Sequence, residues 1–325
     1  MFHLTHGTIG RRPVLPHILG IAILLAVSAL PVAADGPKQY SDWGQATPVA
    51  EANTAFHDGC PIESPNGRQL YIASNRQPGG LGSNDIWVAE RPNTRSPWGP
   101  MQNVGAPVNS EFNDFCPTPL GGGWLMFVSE RPGADTCSAG PGNGDMYIAR
   151  QRRNGTWTTP QHLGCHPTGP NFTGAEFSPS LVQTRGGTFL YFSSNGSDGG
   201  DQDIYVSRRN RNGTFGPATV VGELNTAAMD QMPNVSRNGR EIVFASNRDG
   251  NMDIWTATWD RSEGSWSAPT KLPATVNTAE PESRPSLSGD GTRLYFGRGV
   301  PPSDVFVSTR VVLDEDDDED DEDDD

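Results

Sequence analysis

The stretch from Asp230 to Thr258, DQMPNVSRNGREIVFASNRDGNMDIWTAT, is the clearest of five copies of one unit. An acid stands three residues before a proline, the chain turns at Asn238-Gly239, and Ile242-Val243-Phe244-Ala245 then runs without a polar interruption. That order predicts a strand, a tight turn and a buried second strand. Ser246-Asn247-Arg248 closes the second strand, a glycine-bearing turn follows, and Asp253-Ile254-Trp255 opens a third strand rich in residues that suit a pleated surface. The segment Gly264-Ser265-Trp266 leads into a fourth. Four short antiparallel strands make one blade of a β-propeller.

The third-strand aspartates Asp85, Asp145, Asp203, Asp253 and Asp304 give the spacing of the copies, each with an aromatic two residues on: Trp87, Tyr147, Tyr205, Trp255 and Phe306. Repeats at this spacing with four strands each indicate an all-β, five-bladed propeller. The aromatic marker of the fourth strand occurs at Trp98, Trp157, Phe215 and Trp266, but no copy follows Phe306. The missing piece lies at the other end, in Trp43-Gly44-Gln45-Ala46-Thr47-Pro48-Val49. Residues 43–50 are therefore expected to pair with the last strand and close the ring, which removes an exposed sheet edge. With 38 glycines, 28 prolines and only 19% charged residues, the chain has the turn-rich composition this requires.

Residues 1–34 read as an export signal peptide. Arg11-Arg12 precede an apolar run from Ile18 to Leu30, and Val32 and Ala34 allow cleavage before Asp35. The run is short of the roughly 20 residues that span a bilayer, so no transmembrane segment is expected in the mature chain. The formal charge of -15 resides largely in the last twelve residues, Asp314–Asp325, all Asp or Glu. A block of like charge cannot bury apolar area and reads as a disordered acidic tail behind a propeller over 35–313. Such an acidic chain is a poor nucleic-acid ligand, and a monomer is expected.

The order acid-x-x-Pro, Asn-Gly or Asp-Gly turn, Leu-Tyr-Phe-like strand, Ser-Asn-Arg and Asp-Ile-Trp resembles the WD40-like PD40 repeat of TolB-like propellers, over about residues 43 to 310. The resemblance implies a periplasmic or secreted propeller that binds proteins or glycans.

The first strands align on Pro61, Pro117, Pro179, Pro233 and Pro285, with Asp58, Asp114, Glu176, Asp230 and Glu282 three residues earlier. Five residues before each acid stands an asparagine: Asn53, Asn109, Asn171, Asn225 and Asn277. Asparagine suits the crossover because its side chain hydrogen-bonds backbone nearby. First strands line a propeller's channel, so the acids are expected to ring one mouth. Arg76, Arg131, Arg248 and Arg298 end second strands and are expected to pair with them as braces between blades, whereas blade three has Gly196 in the arginine position. Glu176 is thus the carboxylate that lacks its partner.

The same residues admit sharper readings. Carboxylates with asparagine carbonyls are hard ligands for calcium. Glu176, Asp58 and Asp114 are the candidates for carboxylate-driven glycoside hydrolysis, which needs acids in unlike environments. His57 is the histidine beside the ring, and His162 and His166 flank Cys165 without a convincing zinc ligand set. The metal, if any, is not identified. Four cysteines in an exported chain favour disulfides, expected as Cys60–Cys116 and Cys137–Cys165. No nucleophile elbow, phosphate loop or zinc-helix motif is present. The leading expectation is an exported, non-catalytic propeller that needs no cofactor and binds a protein or glycan at the mouth bearing the acids. The alternatives are a carbohydrate hydrolase and a calcium-dependent adhesion or envelope-structure module.

Overall fold

The computed structural model describes residues 39–132, 137, 143–197 and 199–313. The expected export segment 1–34 and acidic tail 314–325 lie outside the described residues. The fold is all-β, apart from one turn of 3-10 helix at Gly121–Gly123, and its strands form five antiparallel blades. Among the described residues no helix is long and apolar enough to cross a membrane.

The first strands are Asp58–Glu63, Asp114–Leu120, Glu176–Thr184, Asp230–Val235 and Glu282–Leu287. The second are Gln69–Ser74, Trp124–Ser129, Gly187–Ser194, Glu241–Ser246 and Arg293–Arg298. The third begin at the five aspartates, from Asp85–Glu90 to Asp304–Thr309. Leu70, Ile72, Leu125, Phe127, Leu190, Phe192, Ile242, Phe244, Leu294 and Phe296 on the second strands are fully buried. These strands read as unbroken apolar runs because both faces of a blade are covered by neighbours. Alternation then divides the side chains: Tyr71 packs toward blade two, with Leu125 and Phe127, while Leu70 and Ile72 pack toward blade five, with Tyr295 and Val305. The core is accordingly five clusters, one in each seam between blades.

Each seam also carries a polar clamp. Asn109 accepts from the backbone N–H of Ile86 at 2.8 Å and donates to its carbonyl at 2.9 Å, so one amide satisfies both groups of a third-strand residue in the preceding blade. Asn171 does the same to Met146, Asn225 to Ile204, Asn277 to Ile254 and Asn53 to Val305. The asparagines were expected to serve their own crossover backbone. Their reach is longer: the third-strand carbonyl also accepts a backbone N–H, as Ile86 does from Val104, but the third-strand N–H relies on the amide oxygen, and a buried unpaired N–H costs about 1–3 kcal/mol.

The ring closes as the sequence implies. Thr47–Pro48 is the outer strand of blade five, paired with Val307 and Phe306. Gln39–Tyr40 then pairs with Val312–Leu313, an added clasp. Trp43 is buried in the seam between blades four and five, and Arg310 stacks on Tyr40 and Trp43 while bridging to Glu241 at 2.6 Å. Trp98 and Trp157 lead into the outer strands Gln102–Asn103 and Gln161–His162, as expected of the fourth-strand marker, and both are buried as plugs. In blade four Ser265–Trp266 and Thr270–Lys271 share the outer edge.

If the N-terminal strand and the amide clamps hold the ring, Trp43→Ala should lower unfolding stability by about 3–5 kcal/mol. Asn277→Leu, which leaves the Ile254 N–H unpaired while its carbonyl keeps the Leu272 N–H, should cost about 1–3 kcal/mol. Urea denaturation of the variants measures both.

Candidate functional site

The five acids open the first strands, and all five are fully buried. In blade one Asp58 accepts from the Thr54 N–H at 2.6 Å and its hydroxyl at 2.7 Å, from the Ser74 hydroxyl at 2.5 Å and from Arg76 Nη2 at 2.5 Å. Arg76 also donates to the Ala52 carbonyl and lies over the Trp87 ring. The pattern recurs with little change. Asp114 takes Ser110 and Arg131, Asp230 takes Thr226 and Arg248, and Glu282 takes Thr278 and Arg298. Each arginine binds a crossover carbonyl, and each stacks on second- or third-strand aromatics. A buried carboxylate with both oxygens engaged by its own blade's arginine and by the incoming crossover is a brace between strands and crossover within a blade, not the brace between blades that was expected. Asp58 and Asp114 therefore have no free oxygen to present to a substrate, and the oxygens named as calcium ligands in these four blades are taken by the protein.

Blade three departs at two coupled positions. Gly196 stands where the arginine should be, and Phe172 replaces the crossover threonine or serine. The Phe172 ring lies 4.9 Å from Tyr205 and 6.5 Å from Phe192, the aromatics that the missing guanidinium would cover. Glu176 thereby loses two donors. Its Oε1 keeps the Phe172 N–H and the Ser194 hydroxyl, while Oε2 is buried without a hydrogen-bond partner. Burial, with help from the neighbouring Asp145 carboxylate, raises its pKa well above the usual carboxylate range. The shift favours the protonated form of Glu176.

Above this seam opens a cleft of about 400 Å³, lined by Phe172, Asn195, Gly196, Asp201, Asp203, Tyr205 and Thr226. Glu176, Ser194 and Asp203 sit opposite one another on three adjacent strands. Burial and the charges of Asp230 and Asp201 raise the Asp203 pKa as well. Aromatic faces, an amide and two carboxylates around one cavity are a lining suited to a polar, hydroxylated ligand. Sequence reading singled out Glu176 and Gly196 but missed Phe172, Tyr205, Asn195 and Asp203. The signal for Phe172 was present, since the position after each crossover asparagine otherwise reads Thr, Ser, Thr and Thr.

The remaining candidates settle into structural roles. His57 lies with Nδ1 2.9 Å from the Ser303 hydroxyl, and burial lowers its pKa against the pull of Asp58. Cys137 and Cys165 form the expected disulfide, whereas Cys60 and Cys116 are thiols with their sulfurs 3.5 Å apart rather than a second bridge. Cys137, His162 and Cys165 form the one trio of metal-ligating type among the described residues. The bonded sulfurs are not thiolates, however, and both ring nitrogens of His162 are engaged by the protein, Nδ1 by the Gly164 N–H at 3.1 Å and Nε2 by the Asn171 amide at 2.9 Å.

No family model and no curated relative matches the sequence. Solved structures share the fold. The α-L-arabinofuranosidase of Lactobacillus brevis is 11% identical, with a TM-score of 0.56 over 83% of this chain and 96% of that one. The endo-arabinase of Bacteroides thetaiotaomicron is 14% identical, with a TM-score of 0.55 over 85% and 99%. A putative TolB from Agrobacterium tumefaciens is 16% identical over 80% and 78%, at a TM-score of 0.43. At these identities the likeness to the arabinofuranosidase and the endo-arabinase is one of fold alone.

The contrast between braces and blade three is measurable. Arg248→Ala leaves Asp230 buried and unpaired and should cost about 3–5 kcal/mol. Glu176→Gln should behave oppositely. Because the native state holds a proton that the unfolded chain releases, wild-type stability falls as pH rises above the unfolded pKa, by up to about 1.4 kcal/mol per pH unit, until the native group itself ionises. The glutamine variant should lose that slope and exceed the wild type in thermal stability at pH 8, while matching it near pH 4.

Proposed function

We propose that this chain is an exported propeller of PD40 type that binds a carbohydrate in the blade-three cleft as a monomer, without cofactor or nucleic acid. The observation that carries the reading is the cleft itself. It lies at the one seam where the repeat gives up its ion pair, and it presents Tyr205, Phe172, Asn195 and Asp203 together. Four braced blades form a rigid frame for this one altered seam, and sites on rigid elements hold ligand-binding groups more closely than loops do. The Cys137–Cys165 disulfide on the same crossover supports an oxidising, extracytoplasmic location. Arabinofuranosidase and endo-arabinase among the fold neighbours make arabino-oligosaccharides the first ligands to test.

Hydrolysis of such a glycan is the second reading, favoured by two observations. Most of the named fold neighbours are glycoside hydrolases. Glu176 and Asp203 are also carboxyl groups in unlike settings on one row of the sheet, one sealed and shifted toward its protonated form, the other partly exposed. Binding is preferred because Glu176 is fully buried, and Asp58 and Asp114 are held in braces.

A thermal-shift and calorimetric screen against arabino-, xylo- and gluco-oligosaccharides tests both. Binding without product release, weakened about tenfold by Tyr205→Ala, supports the proposal; stacking contacts of this kind are worth about 0.5–1.5 kcal/mol. Turnover that vanishes in both Glu176→Gln and Asp203→Asn would transfer the site to the hydrolase reading. Neither binding nor turnover across the panel would overturn both.

A further inference from the structure

Every first strand bulges at the residue before its proline, and there the backbone turns left-handed: φ is 52° at Cys60, 51° at Cys116, 56° at Ser178, 57° at Met232 and 52° at Arg284. The residues occupy one position of the repeat, so their side chains meet at one level of the axis. Cys60 Sγ is 3.5 Å from Cys116 Sγ, which is 3.7 Å from the Ser178 hydroxyl. Arg284 reaches from blade five past blade one to donate to the Pro117 carbonyl of blade two at 3.3 Å. It is 4% exposed, and its Nη1 is buried without a hydrogen-bond partner. No carboxylate stands at this position in any blade. The carboxylates two residues earlier are committed to their own blades.

The two sulfurs are electrostatically unlike. The Cys60 thiol, hydrogen-bonded to Cys116 and buried, is pushed up. At Cys116 burial also pushes upward, but the hydrogen bond from Cys60 and the Arg284 guanidinium outweigh it and bring the group to about 6. The two sulfurs share one hydrogen bond beside a buried cation.

We propose that Cys60 and Cys116 form an axial binding site for one soft monovalent metal ion of the copper(I) or silver(I) class. Thiolate ligands without oxygen or imidazole partners select such ions. The ion replaces the proton lying between the sulfurs: two thiols and one monovalent ion give a bis-thiolate complex and two released protons, with no change of oxidation state. That complex carries one negative charge, which the Arg284 guanidinium neutralises. A divalent ion would form a neutral bis-thiolate and leave the buried arginine uncompensated, which is costly. Charge therefore discriminates against zinc.

The full-length exported chain, kept anaerobic, is first alkylated after denaturation without reductant and weighed intact. Two modified thiols per chain are expected; none would mean a second disulfide and would overturn the site. Silver nitrate is then titrated while thiolate-to-metal charge-transfer absorbance is followed. One equivalent per chain should bind, protect both thiols of the native protein from alkylation and resist displacement by excess zinc. Arg284→Lys should retain the site, and Arg284→Leu should bind about tenfold more weakly. Cys60→Ser should abolish it, with unchanged circular dichroism; protection from alkylation in the wild type keeps the test decisive where Cys116→Ser does not fold. Silver bound undiminished by Cys60→Ser, or zinc bound more tightly than silver, would overturn the proposal.

Discussion

A carboxylate sealed from water is unfavourable by several kcal/mol unless donors surround it, and this ring contains five. The fold depends on how that demand is met. Each acid of the regular blades gathers a crossover N–H, a crossover hydroxyl and an arginine, so the start of the first strand, the end of the second and the incoming crossover are fixed by one group. The asparagine clamp then fastens that crossover to the blade before. Five apolar seams supply most of the cohesion, but apolar packing is tolerant of register. The polar pair of acid and amide sets where each blade must sit.

This explains why one loss and one gain occur together in blade three. Removing an arginine from a braced site would strand a charge, a change that is strongly destabilising. Here Phe172 covers the aromatics that the guanidinium would have covered, and burial shifts Glu176 toward its protonated form. A site that would otherwise be a defect becomes an aromatic-walled recess.

Blade number, ring closure and the acid–arginine pairs were legible because they recur: a fivefold repeat turns weak local signals such as Asp253-Ile254-Trp255 into a strong one. The partner of each asparagine was not legible. It lies 21 to 25 residues earlier for the four interior clamps and 252 residues later for Asn53, and nothing in Asn53 itself points to Val305. The left-handed bulge was hidden for another reason. Proline after Cys60 or Arg284 announces a break in hydrogen bonding, but a non-glycine residue at positive φ is stabilised only by its surroundings. Reading the column before the prolines as Cys, Cys, Ser, Met and Arg would have exposed a variable ring inside an invariant frame. The second disulfide was expected from proximity alone, and proximity is what the structure shows.

The clasp between Gln39–Tyr40 and Val312–Leu313, with Thr47–Pro48 beside it, imposes an order of events. A growing chain presents its N-terminal strand first and the partner strands last, with every other blade between them. During synthesis, the first strand must stay unpaired while blades one to four assemble by contacts within and between neighbours. The final contact spans nearly the whole length, and such contacts form slowly because loop closure precedes any gain. Maturation is thus gated by arrival of the last blade, and a truncated chain presents an open arc with one bare edge at each end.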